Sequence, residues 1–539
     1  MIRYRNPVVR GTAPDPSVVR VGADFYLVTS SFELFPGLVI RHSTDLITWT
    51  VIGAAVQRSS QVRRDGQPGA VSLFAPTIRY GDGRFVIACT NVAPGQGNFL
   101  VTADDPAGPW SDAIWEDEAG FDPSLLHDDG RWIYTRRSLD PLPDGRLGPV
   151  VQAEIDIDSG VLGPLVAVTP DHQGWCSNDI EGPHLYRIGD WYYLFAAEGG
   201  TWKGHMQTVA RSRTPFGPFE PCPDNPVLTH RHRVGHPVQS VGHAELIDTP
   251  AGEWWALCLG TRHQGSGPLT VHHNLGRETF LLPVEWRDGW PVLGAEGRVD
   301  LDMAVDREPL PASRSTPSVR DHAAEWRTLG DPGRWLAADA MTVAVPVGLR
   351  WDASISDALS RAAPIGARLS AQLEDEHRQV VELGLPTIGE SDAAVGGGFW
   401  SDAEHWCAIT VRVMGGDVEV VAELCIDDVR SRETRKMPLT SVSAKVLLEL
   451  DARPERYRVA LHDSAGRELA TVRCRARLFS AEATEWFTGV HLMLVAAAPD
   501  RASDADGLPV EIVVTVHESA AVPPLGATDI ATAAVAPAL

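Results

Sequence analysis

Residues 11–30 read GTAPDPSVVRVGADFYLVTS. One carboxylate, Asp15, stands between two prolines. A short alternating strand follows, then a Gly turn, then an aromatic-rich strand, which is the pattern of a β-hairpin. The pattern returns four times: APTIRYGDGRFVIACT from Ala75, DPSLLHDDGRWIYTR from Asp122, EGPHLYRIGDWYYLFAA from Glu181 and HAELIDTPAGEWWALCL from His243. The first residues are 60, 47, 59 and 62 positions apart. A second echo trails three of the hairpins, DLITW at 45–49, DPAGPW at 105–110 and TPFGPF at 214–219, each a turn entering an outer strand. Hairpin plus outer strands makes about four strands per unit, the content of a propeller blade. The spacing exceeds the usual blade period, which implies inserted loops. Five units predict a five-bladed β-propeller over residues 1–305. The competing reading is an irregular β-sandwich, and the internal repetition favours the propeller.

In a propeller the first strand of each blade lines the central channel, so the residues opening these strands converge at its mouth. Asp15, Asp122, Glu181 and His243 would then meet, with Phe74 beside the tip of the second blade. Taken singly, each has a plain reading. An Asp before Pro is usually a turn residue or N-cap, Glu181 before Gly-Pro could start a turn, and a His before an apolar strand is more often a core histidine than a ligand. Their equivalent placement in the repeat outweighs those readings. Three carboxylates in one pocket repel one another, so one can stay ionised as a base while another keeps its proton as an acid. Two carboxyls flanking an anomeric carbon is the pattern of sugar hydrolysis. A gap of roughly 6.5–9.5 Å accompanies inversion, which suits tips on different blades. Phe32, Phe35, Phe74 and Trp175 or Trp202 are candidates to stack on a sugar face, with core packing as the plain alternative. Arg277 in GRETF could donate a fork of hydrogen bonds to sugar hydroxyls, or form a structural salt bridge with Glu278 or another carboxylate.

The bulk numbers bound the rest. At 539 residues the chain is too long for one core and implies two or three domains. A formal charge of −24 argues against nucleic acid or an anionic membrane as partner. Lysine occurs only at 203, 436 and 445, so arginine carries nearly all the positive charge. Seven cysteines without a CxxC fit reduced, buried thiols. The opening MIRYRNPVVRG has no apolar core of a signal peptide, and no run approaches a membrane span. The expected location is cytoplasmic.

These motifs resemble glycoside hydrolase family 43, in particular its two-domain β-xylosidases. NPVVRGTAPDPSVVRVGADFYLVTSSFELFPG, LFAPTIRY, FDPSLL, DIEGPHLYRIGDWYYLFAAEGGT, GHAELIDTPAGEWWALCLGTR and LGRETFLLPVEW stand in family order across the propeller. The resemblance implies an inverting mechanism with Asp15 as general base, Glu181 as general acid and Asp122 tuning and orienting that acid. It implies that Arg277 binds substrate hydroxyls, and that Phe32 and Phe74 shape a single-sugar subsite. His243 is similar to a channel histidine that in some members helps hold a calcium ion. One histidine is far short of a hard-cation cage of oxygens, so no cofactor is required in this reading and calcium is an option only.

After DREPLPASRSTPS the composition changes. Residues 306–321 read as a linker, 322–522 as a second domain and 523–539 as a disordered Ala/Pro-rich tail. GGGFWSDAEHWCAITV and WFTGVHLML make the second domain resemble the concanavalin-like β-sandwich that follows the propeller in such xylosidases. There a loop closes one side of the active site, and Phe487 is the candidate for it. The start of this domain matches poorly, and its last strand lacks the acidic-aromatic ending the family suggests.

The resemblance favours an exo-acting β-1,4-xylosidase that trims xylo-oligosaccharides. An α-L-arabinofuranosidase is the alternative enzyme, and a non-catalytic carbohydrate-binding propeller the alternative of another class. A retaining fructosidase-type propeller would want Asn-Asp-Pro where this chain has Ala-Pro-Asp-Pro. The partner expected is a xylo-oligosaccharide or arabinofuranoside, with a homo-oligomer left open.

Overall fold

The computed structural model describes residues 1–308 save 68, 117–119, 140–147, 170–173 and 265–270. It also describes Pro311, the strands at 326–329, 342–345 and 365–369, and residues 377–517 save 386–393, 403, 415, 443, 485–487 and 498–509. The linker at 306–321 falls largely, and the tail at 523–539 and Phe487 wholly, outside the described residues.

The hairpin repeat becomes five antiparallel sheets whose strands follow chain order, the first interrupted by Leu34–Phe35, which pairs elsewhere. Blade I runs Ser17–Val21, Asp24–Val28, Gly37–Ser43 and Thr50–Val56. Blade II begins at Thr77–Gly81, blade III at Phe121–Asp128, blade IV at Ile180–Ile188 and blade V at Val238–Asp248. The turns follow from their residues. Asp82–Gly83 and Asp129–Gly130 hold both members at positive φ, the type I′ geometry that matches strand twist. The echoes at 45–49, 105–110 and 214–219 are the turns that lead to each blade's outer strand.

Between successive blades lie separate apolar cores. Val28, Ile40, Ile87 and Phe99 join blades I and II, and Val86, Leu100 and Tyr134 join II and III. Ile133, Leu185 and Leu194 join III and IV, and Phe195, Leu246 and Phe280 join IV and V. Phe25, Leu27, Leu257 and Leu281 then close blade V onto blade I. At roughly 1.5–3 kcal/mol for each fully buried large side chain, these faces hold the ring together. Polar contacts fix its closure: Arg20 grips Asp248 through Nη2 at 2.6 Å and Nε at 3.2 Å. Ile2–Arg5 pairs antiparallel with Asp302–Val305, so the ends of the propeller segment meet.

The second domain is a sandwich of two antiparallel sheets. Val395, Ile409, Val411, Val446, Leu448, Val459 and Leu492 fill the space between them. One sheet continues into the propeller: Thr328 and Leu329 pair with Phe35 and Leu34. This corrects one expectation. Phe35 is fully buried beneath that pairing and belongs to the core between blades I and II, so it is not a sugar-stacking residue. The sandwich also grips the segment before Arg277. Val490 donates its N–H to Asn274 O at 2.7 Å, and Asn274 Nδ2 donates to Ala476 O at 2.8 Å and to the Tyr457 hydroxyl. A Cβ on Gly489 would lie 2.3 Å from the Leu275 carbonyl carbon, so only glycine permits this approach.

Candidate active site

The channel mouth is built from strained strand openings. Asp15, Asp122 and His243 take φ of 55°, 53° and 46°, and Gly182 takes 53°. The pairing register slips between Phe121 and Ser124, between Glu181 and His184, and twice between Gln239 and Glu245. Such bulges re-aim side chains, and strain of this kind gathers at functional sites. Gly182 is required twice over, since a Cβ there would also meet the His243 ring at 2.8 Å.

The re-aimed side chains line one cavity of about 170 Å³, which includes Asp15, Asp122, Glu181, His243, Phe32, Phe74 and Arg277. Asp15 accepts from Ser30 Oγ at 2.5 Å and from Arg277 Nη1 at 3.4 Å, and lies 3.2 Å from His243 Nδ1. Burial alone would raise its pKa. The Arg277 charge and the hydrogen bonds from His243 and Ser30 overcome that and hold the carboxyl well below the usual carboxylate range. For Glu181 the attraction of His243 is outweighed. Burial, then repulsion from Asp122 and Asp179, push it up to about 8. Asp122 is raised to about 6 by burial, against the attraction of His243, while its Oδ2 accepts the Gly182 N–H at 3.0 Å. One pocket therefore holds two carboxyls shifted in opposite directions, Asp15 toward the ionised form and Glu181 toward the protonated one.

The aromatic wall is Phe32 and Phe74, in edge-to-face contact with centroids 5.7 Å apart. The Arg277 guanidinium sits 5.6 Å over the Phe32 ring and donates to Thr201 Oγ at 2.9 Å. Its predicted alternative partner, Glu278, is instead held by Arg262 at 2.6 Å. Trp202 lines the cavity and is 56% exposed. Trp175 does not: it packs against the core between blades III and IV, and its backbone N–H is held by Glu198.

Below the carboxylates runs a polar column that the sequence reading missed. His243 Nε2 faces His184 Nε2 at 3.3 Å, His184 Nδ1 lies 3.2 Å from Glu245 Oε1, and Arg79 Nη1 lies 2.7 Å from the same oxygen. Burial lowers the pKa of both imidazoles, but contact with Asp15 reverses this for His243, which is raised, while His184 is pushed well below its usual value. A cationic His243 can thus donate both N–H groups, one toward Asp15 and one toward neutral His184. The signal was present in EGPHLY and HAEL, where His184 and Glu245 stand two or three residues inside the tips.

This column bears on the calcium expectation for His243. Calcium takes six to eight oxygens. The two nitrogens of His243 face a carboxylate already engaged by Arg277 and Ser30, and another imidazole. Among the described residues, the group of three His, Cys, Asp or Glu side chains close enough to share an ion does not include His243. The channel side chains do not fit a calcium cage, and no step below uses one.

Comparison with known proteins agrees with this architecture. The model of glycosyl hydrolases family 43 matches residues 4–291, more than half of the chain. A non-reducing end α-L-arabinofuranosidase of Bacteroides ovatus is 43% identical over 300 residues, 55% of this chain and 54% of that protein. A β-xylosidase of Bacillus subtilis is 38% identical over 321 residues, 56% of this chain and 59% of that protein. The matched part thus spans little more than half the length of these curated relatives. A solved structure, the Bacteroides ovatus xyloglucan-locus GH43B, superposes with a TM-score of 0.80 at 29% identity, covering 96% of this chain and all of that one. With the family model running through all five blades that form the carboxylate pocket, the chain belongs to glycosyl hydrolase family 43.

Proposed function

We propose that this chain is an inverting exo-glycosidase that releases xylose from the non-reducing end of β-1,4-xylo-oligosaccharides. The observation that carries the reading is that Asp15 and Glu181 line one pocket in opposite surroundings, Asp15 against Arg277, His243 and Ser30, and Glu181 beside the carboxyls of Asp122 and Asp179. Asp15, ionised, takes a proton from the attacking water. Glu181, protonated, gives its proton to the leaving oxygen. Asp122 keeps Glu181 protonated by repulsion and orients the strand through the Gly182 N–H. Arg277, held by Asp15 and Thr201, faces the pocket as a hydrogen-bond donor to sugar hydroxyls, and Phe32 and Phe74 close the sugar's other side. A cavity this small suits one terminal sugar rather than the middle of a polymer. Acid, base and their tuning groups are all side chains, so the reading calls for no cofactor.

The name of the Bacteroides ovatus relative supports a second reading, α-L-arabinofuranosidase activity. Proton NMR of the anomeric signals during the first minutes with xylobiose decides between them. The proposed activity gives α-xylose first. β-Xylose first would overturn the assignment of roles, and cleavage of arabinofuranosides without xylobiose would establish the second reading.

The pH profile supplies a separate check. Glu181 must hold its proton to act, so kcat/KM falls as pH rises through about 8. Asp122→Asn keeps an acceptor for the Gly182 N–H but removes a negative neighbour. Losing that repulsion lowers the pKa of Glu181, so the basic limb moves to lower pH. An unmoved limb would show that Asp122 does not set the acid.

A further inference from the structure

The edge of the pocket where blade V meets the sandwich carries a second constellation. Gln264 and His272 form an antiparallel bridge, with N–H to O distances of 2.8 and 3.1 Å in the two directions. That register sets His263 and His273 opposite each other on neighbouring strands. Their rings lie parallel, with centroids 5.7 Å apart and planes 7° apart. Glu482, from the sandwich, accepts the His273 backbone N–H at 3.1 Å and lies 2.8 Å from His273 Nδ1. One donor atom from each of the three side chains falls within 4.8 Å of the others. The three line a cavity of about 150 Å³, shared with Thr201, Trp202 and Lys203.

A single His273–Glu482 pair would be enough to tie the domains together. The second imidazole, set parallel by the backbone register, adds nothing to that tie but completes a ligand set. We propose that His263, His273 and Glu482 form a site for a borderline divalent transition-metal ion, with Zn²⁺ the best fit. Two imidazoles and one carboxylate are three protein ligands of the type zinc takes, with a fourth position open toward the cavity. The same set is too rich in nitrogen and too poor in oxygen for Ca²⁺ or Mg²⁺. Zinc–ligand bonds are about 2.0–2.2 Å, so binding requires the three donors, now within 4.8 Å of one another, to draw together around the ion. Lys203 and Arg277 line the same cavity, and their charge opposes a dication, which points to micromolar rather than nanomolar affinity. Because two ligands come from blade V and one from the sandwich, the ion would pin the two domains beside the pocket.

The test is calorimetric titration of the full chain with Zn²⁺, with Ca²⁺ as control. The expected result is one site per chain for Zn²⁺, weakened at least tenfold in both His263→Ala and Glu482→Gln. His263→Ala leaves the His273–Glu482 pair in place, so it keeps the test valid if Glu482→Gln loosens the domains. Co²⁺ bound to the wild type should show the intense visible bands of tetrahedral coordination, absent in His263→Ala. Zinc should also raise the thermal midpoint of the wild type and not that of His263→Ala. Absence of binding, equal affinity in the variants or equal competition by Ca²⁺ would each overturn the site.

Discussion

On the proposed function, Glu181→Ala is expected to lower turnover of xylobiose by about 10²–10⁴-fold, the usual worth of a positioned general acid. An aryl xyloside whose leaving group departs as a stable anion loses far less, because it needs no proton. The asymmetry follows from the pocket. Glu181 is half-buried, and desolvation with repulsion from Asp122 and Asp179 favours its protonated form, so what the variant loses is proton donation. Asp15→Ala behaves differently. The water must be activated whatever the leaving group, so both substrates suffer alike. Steady-state kinetics of the two variants on both substrates separate the roles. Equal losses for Glu181→Ala on both would remove it as the acid, and would leave the pocket a sugar-binding site with some other chemistry.

Glu245→Ala has the largest expected effect on stability. Glu245 is fully buried in the channel and ties blade V to three other blades. It accepts from Ser17 Oγ at 3.0 Å and from the Val18 N–H of blade I, pairs with Arg79 of blade II, and lies beside His184 of blade IV. Removing it leaves the Arg79 guanidinium buried without its charge partner, a loss of about 3–5 kcal/mol. Calorimetry should show the propeller's unfolding transition displaced to lower temperature. Glu245→Gln, which keeps acceptors for Ser17 and Val18 but not the charge, should lose less. A loss below about 1 kcal/mol for the alanine variant would place ring closure in the apolar faces alone.

The contrast between Phe32 and Phe35 shows where sequence reading stops. Both stand in SSFELFPG and both are aromatic. Phe32 faces the pocket against Phe74 and Arg277, whereas Phe35 is drawn into the core where the sandwich strand pairs with it. No local signal separates them, because the deciding contact comes from residues nearly 300 positions away. Trp175 and Trp202 divide in the same way, one into an interblade core and one onto the cavity wall. Phe487 lies outside the described residues.

The sequence by itself determined the blade count, the hairpin turns and the positions of Asp15, Asp122, Glu181 and His243. Alternation and turn chemistry act between neighbours in the chain, so a repeat of about 60 residues carries them openly. Only the tertiary structure showed why these carboxyls differ in their hold on a proton. Asp15 and Asp122 open similar motifs, DPSVV and DPSLL, yet one pKa is lowered and the other raised. The cause is Arg277, just before the strand Glu278–Arg287 of blade V, and Ser30, just after the strand Asp24–Val28, which reach Asp15. A pKa sums burial and charge over every group in the pocket, and those groups become neighbours only when five blades close into a ring.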